Sequence, residues 1–373
     1  MVRPIVVTGG GTGGHIFPMR AIGEELVAAG VPATAIHYVG SRRGQEAALL
    51  ADQPIDLTLL PGRGIRRSWR ARAVVQNLGA IVGLAIACAV AFVRVGRWRP
   101  SVVVSVGGYA AAAVGAAAVL WRRPLVLVEL DATPGAVHRV LARFARRRCL
   151  AYGPADDSSV VTGVPLGRDV LAVDRGREAR QRSRRAMEPP IDAGRAVVVV
   201  MSGSLGATRV NDAVSDLAER WSSRTDRALI HVSGRRDASR VLARRPRTDG
   251  LDYRIIDFAT MAPLWSVADV AVCRAGATTV AELTALGIPS VLVPLPGAPG
   301  DHQTRNARAV ADAGGAVLLA DEDCDGASLE AALDRLLAPE ELEAATSAAR
   351  GLGHRDAAAA ITRVVLDVGG QAA

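Results

Sequence analysis

The stretch Ile5-Val6-Val7-Thr8-Gly9-Gly10-Gly11-Thr12-Gly13-Gly14-His15-Ile16-Phe17-Pro18 decides the fold class. A short β-branched run breaks into glycines, and from Pro18 to Ala29 apolar residues return at helical spacing, so the order is strand, loop, helix. The glycines satisfy G-x-G-x-x-G. They let a backbone approach a diphosphate, while the helix start offers unpaired amides and the positive end of a dipole. A dinucleotide-binding domain also places an acid about 20 residues on, at the end of the second strand. Here that strand ends Tyr38-Val39-Gly40-Ser41-Arg42-Arg43, without one. The two arginines suit a 2′-phosphate, so an NADP-dependent oxidoreductase stays open as a reading.

The same order recurs at Val102 to Val106 before Gly107 and Gly108, at Leu125 to Val128, and at Ala196 to Met201 before Ser202-Gly203-Ser204-Leu205-Gly206-Ala207-Thr208-Arg209. Strands alternating with helices predict parallel sheets. Two glycine-rich strand-to-helix turns, one opening each half, predict two Rossmann-like α/β domains with a cleft between them. The chain becomes polar and Arg-rich between Asp169 and Arg195. The expected division is therefore a first domain over 1–166, a linker over 167–195, a second domain over 196–345, and a C-terminal segment over 346–373 that packs back on the first domain.

With 373 residues, half of them hydrophobic, the chain can bury a large core, and disorder is excluded. Its net charge is +8, with 45 basic residues that are all Arg. Five Trp, four Tyr and four Phe form no base-stacking platform among them, so no nucleic-acid partner is expected. An anionic membrane surface or a diphosphate substrate suits the charge as well. Cys88, Cys149, Cys273 and Cys324 lack any C-x-x-C spacing, so neither a zinc site nor a disulfide framework is suggested. Asp321-Glu322-Asp323 imitates D-x-D but reads as a solvent-facing loop, so no metal and no cofactor are expected. Met1 to Thr8 reads as an opening strand rather than a signal peptide.

The most apolar segment, Leu78 to Val93, is short for a membrane span. It is bracketed by Arg63, Arg66, Arg67, Arg70 and Arg72 before it and Arg94, Arg97 and Arg99 after it, with Trp69 and Trp98 among them. A buried helix and a helix resting on a bilayer surface both fit, and the arginine flanks favour the surface.

Two further clusters carry chemistry. Cys273-Arg274-Ala275-Gly276-Ala277-Thr278-Thr279-Val280-Ala281-Glu282 puts a glycine turn before a helix whose early part holds a carboxylate able to grip a ribose diol. Gly300-Asp301-His302-Gln303-Thr304-Arg305-Asn306 is a dense polar cluster after a buried strand, the place where α/β proteins usually touch ligand.

Gly9 to Pro18, the Ser204-x-Gly206 loop with Asn211, the Arg274 to Glu282 segment and Asp301-His302-Gln303-Thr304-x-Asn306, in this order over nearly the whole chain, resemble the MurG family. That family comprises membrane-associated transferases that add N-acetylglucosamine to lipid I in peptidoglycan synthesis. The resemblance implies a GT-B fold, UDP-GlcNAc held by the second domain and a polyprenyl diphosphate-linked sugar by the first, at the cytoplasmic face of the plasma membrane.

On the donor side it implies that Ser204, Gly206 and Asn211 hold the diphosphate, that Arg274, Gly276 and Thr279 lie near the donor, and that Glu282 takes the ribose hydroxyls. Gln303 and Thr304 would meet the sugar, and the backbone at Phe258 and Ala259 would read uracil. On the acceptor side it implies Thr12, Gly13, Gly14, Gly108, Tyr109 and Asp131, with His15 and Glu129 as the catalytic pair. A free imidazole titrates near working pH and is a side-chain type able to accept a hydroxyl proton, which is why His15 is the candidate base. The chain departs from the family pattern at Val128, Leu130 and Asp131, which replace the His, Gln and Asn around Glu129. His138 and Val164 stand for Asn, and Leu205 for Gln. This clustering on the acceptor side keeps a transferase with another acceptor, and a silent nucleotide-sugar binder, beside the lipid I reading.

Overall fold

The computed structural model describes residues 3–11, 13–44, 46–50, 55–61, 71–203 and 206–370. The chain divides into two compact units, residues 1–167 with 355–373, and residues 168–354.

In the first unit the strands are β1 (Ile5–Thr8), β2 (Ile36–Ser41), β3 (Asp56–Leu60), β4 (Val102–Ser105), β5 (Leu125–Glu129), β6 (Arg147–Leu150) and β7 (Ser159–Val161). They form one parallel sheet in the order β3-β2-β1-β4-β5-β6-β7. Its helices are α1 (Gly13–Ala28), α2 (Glu46–Leu49), α3 (Ala71–Trp98), α4 (Tyr109–Leu120) and α5 (Ala136–Leu141). β1, β4 and β5 are buried along their whole length, as expected of central strands covered on both faces.

The second unit begins with α6 (Arg168–Leu171) and α7 (Arg177–Arg185). Its strands are β8 (Ala196–Met201), β9 (Arg227–Val232), β10 (Asp252–Ile256), β11 (Val270–Cys273), β12 (Ser290–Leu292) and β13 (Ala316–Leu318), in the parallel order β10-β9-β8-β11-β12-β13. Between them run α8 (Thr208–Arg220), α9 (Ala238–Ala243), α10 (Met261–Val267), α11 (Ala277–Leu286) and α12 (His302–Ala311). α13 (Gly326–Leu336) and α14 (Pro339–Gly351) follow, and α15 (Ala357–Val368) belongs to the first unit. Ala357, Ala358, Ile361, Thr362 and Val365 make the buried stripe of α15, which packs on α1.

The segment 168–195, expected as a linker, belongs to the second unit. Arg175 donates to the Trp265 carbonyl at 2.8 Å. Arg184 donates to the Val267 carbonyl at 2.8 Å and pairs with Asp269 at 2.6 Å. Guanidinium groups thus satisfy the last carbonyls of α10, favoured by the negative end of its dipole. Part of what reads as a polar, Arg-rich tract is Arg175, Arg180 and Arg184 turned inward, while Arg168, Arg177, Arg182 and Arg185 are exposed.

The apolar segment also differs from expectation. α3 is 28 residues long, about 42 Å, and Ala80 to Trp98 is long and apolar enough to cross a membrane by length and composition. Its small residues Ala80, Ala87 and Ala91, with Val95, are buried on the side that packs on α4, while Ile81, Val82, Ile86, Phe92 and Val93 face outward. Leu120 and Trp121 at the end of α4 extend that face, and Phe92 stacks on Trp121 with centroids 4.9 Å apart.

Candidate functional site

In each sheet the strand order reverses direction at one point, between β1 and β4 and between β8 and β11. Crevices at the carboxyl ends of strands on either side of such a reversal are where open α/β sheets hold ligands.

In the second unit this edge is built from the loop after β8, the turn at Gly276, and the loop after β12. Gly206 has φ +88°, and a Cβ there would meet the Ser233 carbonyl at 2.5 Å, so only glycine fits. Gly276 differs. As N-cap of α11 it has φ −67°, and a Cβ would meet nothing within 4 Å. Neither strain nor packing calls for glycine there, whereas close approach of a ligand to the first amides of α11 does. Thr279 lies half-buried in that first turn.

Glu282 follows one turn later. Its Oε2 accepts from the Trp265 indole at 2.8 Å, and burial pushes its carboxyl up to about 7 against the opposing effect of that hydrogen bond, with the charge of Asp169 adding to the rise. Gln303 accepts the Leu295 amide at 2.9 Å through its oxygen, which leaves its NH₂ group. Thr304 donates to Asp301 at 2.6 Å. Buried Asn306 donates to the Ala275 carbonyl at 3.2 Å and ties the two loops together.

Three donor-side residues are placed otherwise than expected. Asn211 is fully buried beneath the loop after β8. Its oxygen accepts from Ser202 at 2.6 Å and from His231 Nε2 at 2.9 Å, and its NH₂ donates to the Ser233 carbonyl and to Asp237. With its bonds directed into that network, Asn211 supports the loop rather than facing a ligand. Burial pushes the His231 imidazole down to about 4, so it stays neutral in this network, with Nδ1 accepting from Tyr253 at 2.9 Å. Arg274 is committed inward, donating to the Val293 and Pro294 carbonyls and pairing with Asp321 at 2.6 Å. Asp321 is therefore no solvent-facing residue, although Glu322 and Asp323 are exposed. At Phe258 the amide is taken by Asp257 at 2.7 Å and the ring lies 4.3 Å beneath the Arg235 guanidinium, beside half-buried Ala259. Ser204, like Leu205, lies outside the described residues.

In the first unit the glycine loop after β1 meets the one after β4: a Cβ on Gly108 would stand 2.2 Å from the Gly10 carbonyl. On the other side of the loop after β1, against the end of β2, sits the carboxylate absent from the end of the second strand. Glu46, fully buried, accepts the Gly11 amide at 3.0 Å and the Ser41 amide at 2.7 Å through Oε1. The Gly11 amide is thus turned away from any phosphate, whereas Gly13 and Gly14 open α1 in the expected position. Gly10, Gly40 and Gly44, where a Cβ would strike Glu46, hint at this packing in the sequence.

A Cβ on Gly107 would lie 3.3 Å from the His15 ring and 3.8 Å from His138, so the glycine gives both imidazoles room. His138 also bonds Glu129 at 2.9 Å. Tyr109 donates its hydroxyl to the Pro61 carbonyl at 3.1 Å and so braces the loop instead of pointing at a ligand. The charge of half-buried Asp131 adds to the effect of burial in pushing the Tyr152 phenol up. Thr12 lies outside the described residues, as do Arg63, Arg66, Arg67, Trp69 and Arg70; of Arg72 only the backbone is described. Among the described residues no three His, Cys, Asp or Glu side chains gather into a metal-holding group.

The glycosyltransferase family 28 N-terminal domain model matches residues 5–149 and its C-terminal counterpart matches residues 197–361. The UDP-N-acetylglucosamine--N-acetylmuramyl-(pentapeptide) pyrophosphoryl-undecaprenol N-acetylglucosamine transferase of Alkalilimnicola ehrlichii is 36% identical, covering 98% of this chain and 99% of that protein. The protein of the same name from Moorella thermoacetica is 35% identical over 97% of this chain and 98% of its own length. Among solved structures, Acinetobacter baumannii MurG superposes with a TM-score of 0.75 at 26% identity, over 98% of this chain and 100% of that one. The calicheamicin glycosyltransferase CalG4, at 16% identity and a TM-score of 0.66, shares the fold. This chain, with its two Rossmann-like halves of GT-B type, belongs to glycosyltransferase family 28 and within it to the MurG family of N-acetylglucosamine transferases.

Proposed function

We propose that this protein moves N-acetylglucosamine from UDP-GlcNAc to the muramyl 4-hydroxyl of lipid I, giving lipid II. The observation that carries the reading is the open turn at Gly276 with the Glu282 carboxylate six residues behind it on α11, in a chain alike from end to end to transferases of that name. The acceptor hydroxyl oxygen bonds to the anomeric carbon as the bond from that carbon to the β-phosphate oxygen breaks. The electron pair leaves with UDP, and the hydroxyl proton passes to His15 or Glu129. Amides at the starts of α8 and α11, with the Ser204 hydroxyl, meet the charge that develops on the diphosphate. Glu282 holds the ribose, the Gln303 amide and Thr304 meet the sugar, and the Phe258 carbonyl with the Ala259 backbone meets the uracil. Gly13, Gly14 and Gly108 border the acceptor.

The outward apolar face of α3, with Leu120 and Trp121, lies on an anionic membrane at its cytoplasmic side, helped by Arg94, Arg97 and Arg99. No nucleic acid takes part. A different polyprenyl-linked acceptor is the second reading, favoured by Val128 and Leu130 being sealed apolar residues where the family carries polar ones. Release of UDP is measured with lipid I and with other polyprenyl diphosphate sugars, alongside calorimetric titration of UDP-GlcNAc and NADPH. Turnover with lipid I supports the first reading, and turnover with another acceptor alone supports the second. Binding of NADPH instead of UDP-GlcNAc rules out both.

A further inference from the structure

Ser105, His138 and Glu129 form one hydrogen-bonded chain in the first unit. Ser105 closes β4, Glu129 closes β5 and His138 stands on α5, so three separate elements meet there. A carboxylate only accepts, so the 2.9 Å contact with Glu129 Oε2 puts the ring hydrogen on Nδ1. The other ring nitrogen, Nε2, lies 2.8 Å from the Ser105 hydroxyl. Ser105, His138 and Glu129 are 0, 3 and 4% exposed. The Ser105 hydroxyl is spent on His138 at the inner end of the chain, so the likeness to a nucleophile, base and acid triad is geometric only.

What the chain does is hold the carboxylate. Glu129 Oε2 is engaged, while Oε1 is buried with no hydrogen-bond partner among the described residues. Such an oxygen is costly to leave unpaired, and a hydroxyl brought by a ligand removes the cost. On the reading that this enzyme glycosylates a lipid-linked sugar, we propose that His138 is a positioning residue of the acceptor site. Braced by Ser105, it fixes the Glu129 carboxylate so that Oε1 is left for a hydroxyl of the acceptor sugar. His138 also stands across Gly107 from His15, so the two sit beside the same acceptor-side loop.

The test compares His138→Leu, His138→Gln and Ser105→Ala with wild type, using UDP-GlcNAc, lipid I in detergent micelles, and UDP affinity by calorimetry. His138→Leu is expected to lower kcat/KM for lipid I about tenfold or more, the scale of losing a hydrogen bond to a charged group, with UDP affinity unchanged. His138→Gln recovers most of it, because its amide can donate to Glu129 and accept from Ser105, which a merely space-filling role does not predict. In a Glu129→Gln background His138→Leu adds little further loss, since it acts through that carboxylate. If His138→Leu does not fold, Ser105→Ala and His138→Gln decide: Ser105→Ala lowers kcat/KM for lipid I severalfold while UDP affinity holds. Wild-type kcat/KM in His138→Leu or Ser105→Ala, a Gln variant as poor as the Leu variant, or fully additive losses overturn the proposal. Wild-type protein that transfers nothing to lipid I overturns the functional reading itself, and the proposal with it.

Discussion

The indole of Trp265 on α10 donates to Glu282 Oε2 at 2.8 Å and fixes one oxygen of a half-buried carboxylate on α11. Because burial outweighs that hydrogen bond, the carboxyl titrates at about 7.

Glu282→Ala is therefore expected to weaken UDP binding about tenfold, the scale of lost charge-assisted hydrogen bonds, when measured by calorimetry above pH 8. An unchanged affinity in a folded variant removes the ribose role.

The same carboxyl sets a pH dependence. UDP affinity should fall as pH drops through about 7 and the carboxylate is lost, and Glu282→Gln should flatten that limb. Stability runs the other way. The folded state holds this proton over a range in which the unfolded chain has released it, so stability from Glu282 is full below the ordinary carboxyl range and declines as pH rises through about 7. Urea titrations from pH 4.5 to 8 on wild type and Glu282→Gln check the sign.

Glu46→Ala leaves the Gly11 and Ser41 amides without their acceptor in a buried site, at a cost of about 2 to 4 kcal/mol in denaturant unfolding. Unchanged stability would show that water replaces the carboxylate there.

Val128 is fully enclosed in β5, so restoring the family's polar residue by Val128→His should bury an unpaired imidazole and destabilise the protein by about 1 to 3 kcal/mol without raising turnover. Asp131→Asn, at a half-buried site, is the single change expected to help an anionic acceptor, lowering its KM a few-fold. A Val128→His variant with full stability and faster lipid I turnover contradicts this.

Ile81, Val82, Ile86 and Val93 face outward on α3, and changing all four to Ser should abolish sedimentation with anionic vesicles while leaving UDP affinity intact. Wild type should wash off in high salt; retention through salt and carbonate washes would indicate a spanning helix.

Which residues make strands, and that those strands run parallel, was legible along the chain. Runs such as Ile5 to Thr8 and Val102 to Ser105 carry their burial in their own composition, and a glycine turn followed by an amphipathic helix is a local instruction. That Gly276 opens a helix carrying Glu282 was legible for the same reason, since they sit six residues apart on one strand-turn-helix unit. The partners of buried polar groups were not. Glu46 reaches Gly11 across 35 residues, Ser105 reaches His138 across 33, and Arg274 pairs with Asp321 from the far side of two strands. Asn211 and Tyr109 have side chains suited to a ligand, yet both are spent on the protein itself. Periodicity tells which face of an element is apolar, because that depends on spacing within the element. Which polar group satisfies which depends on how separate elements cross once the sheet has closed over them, and only the tertiary structure decides that.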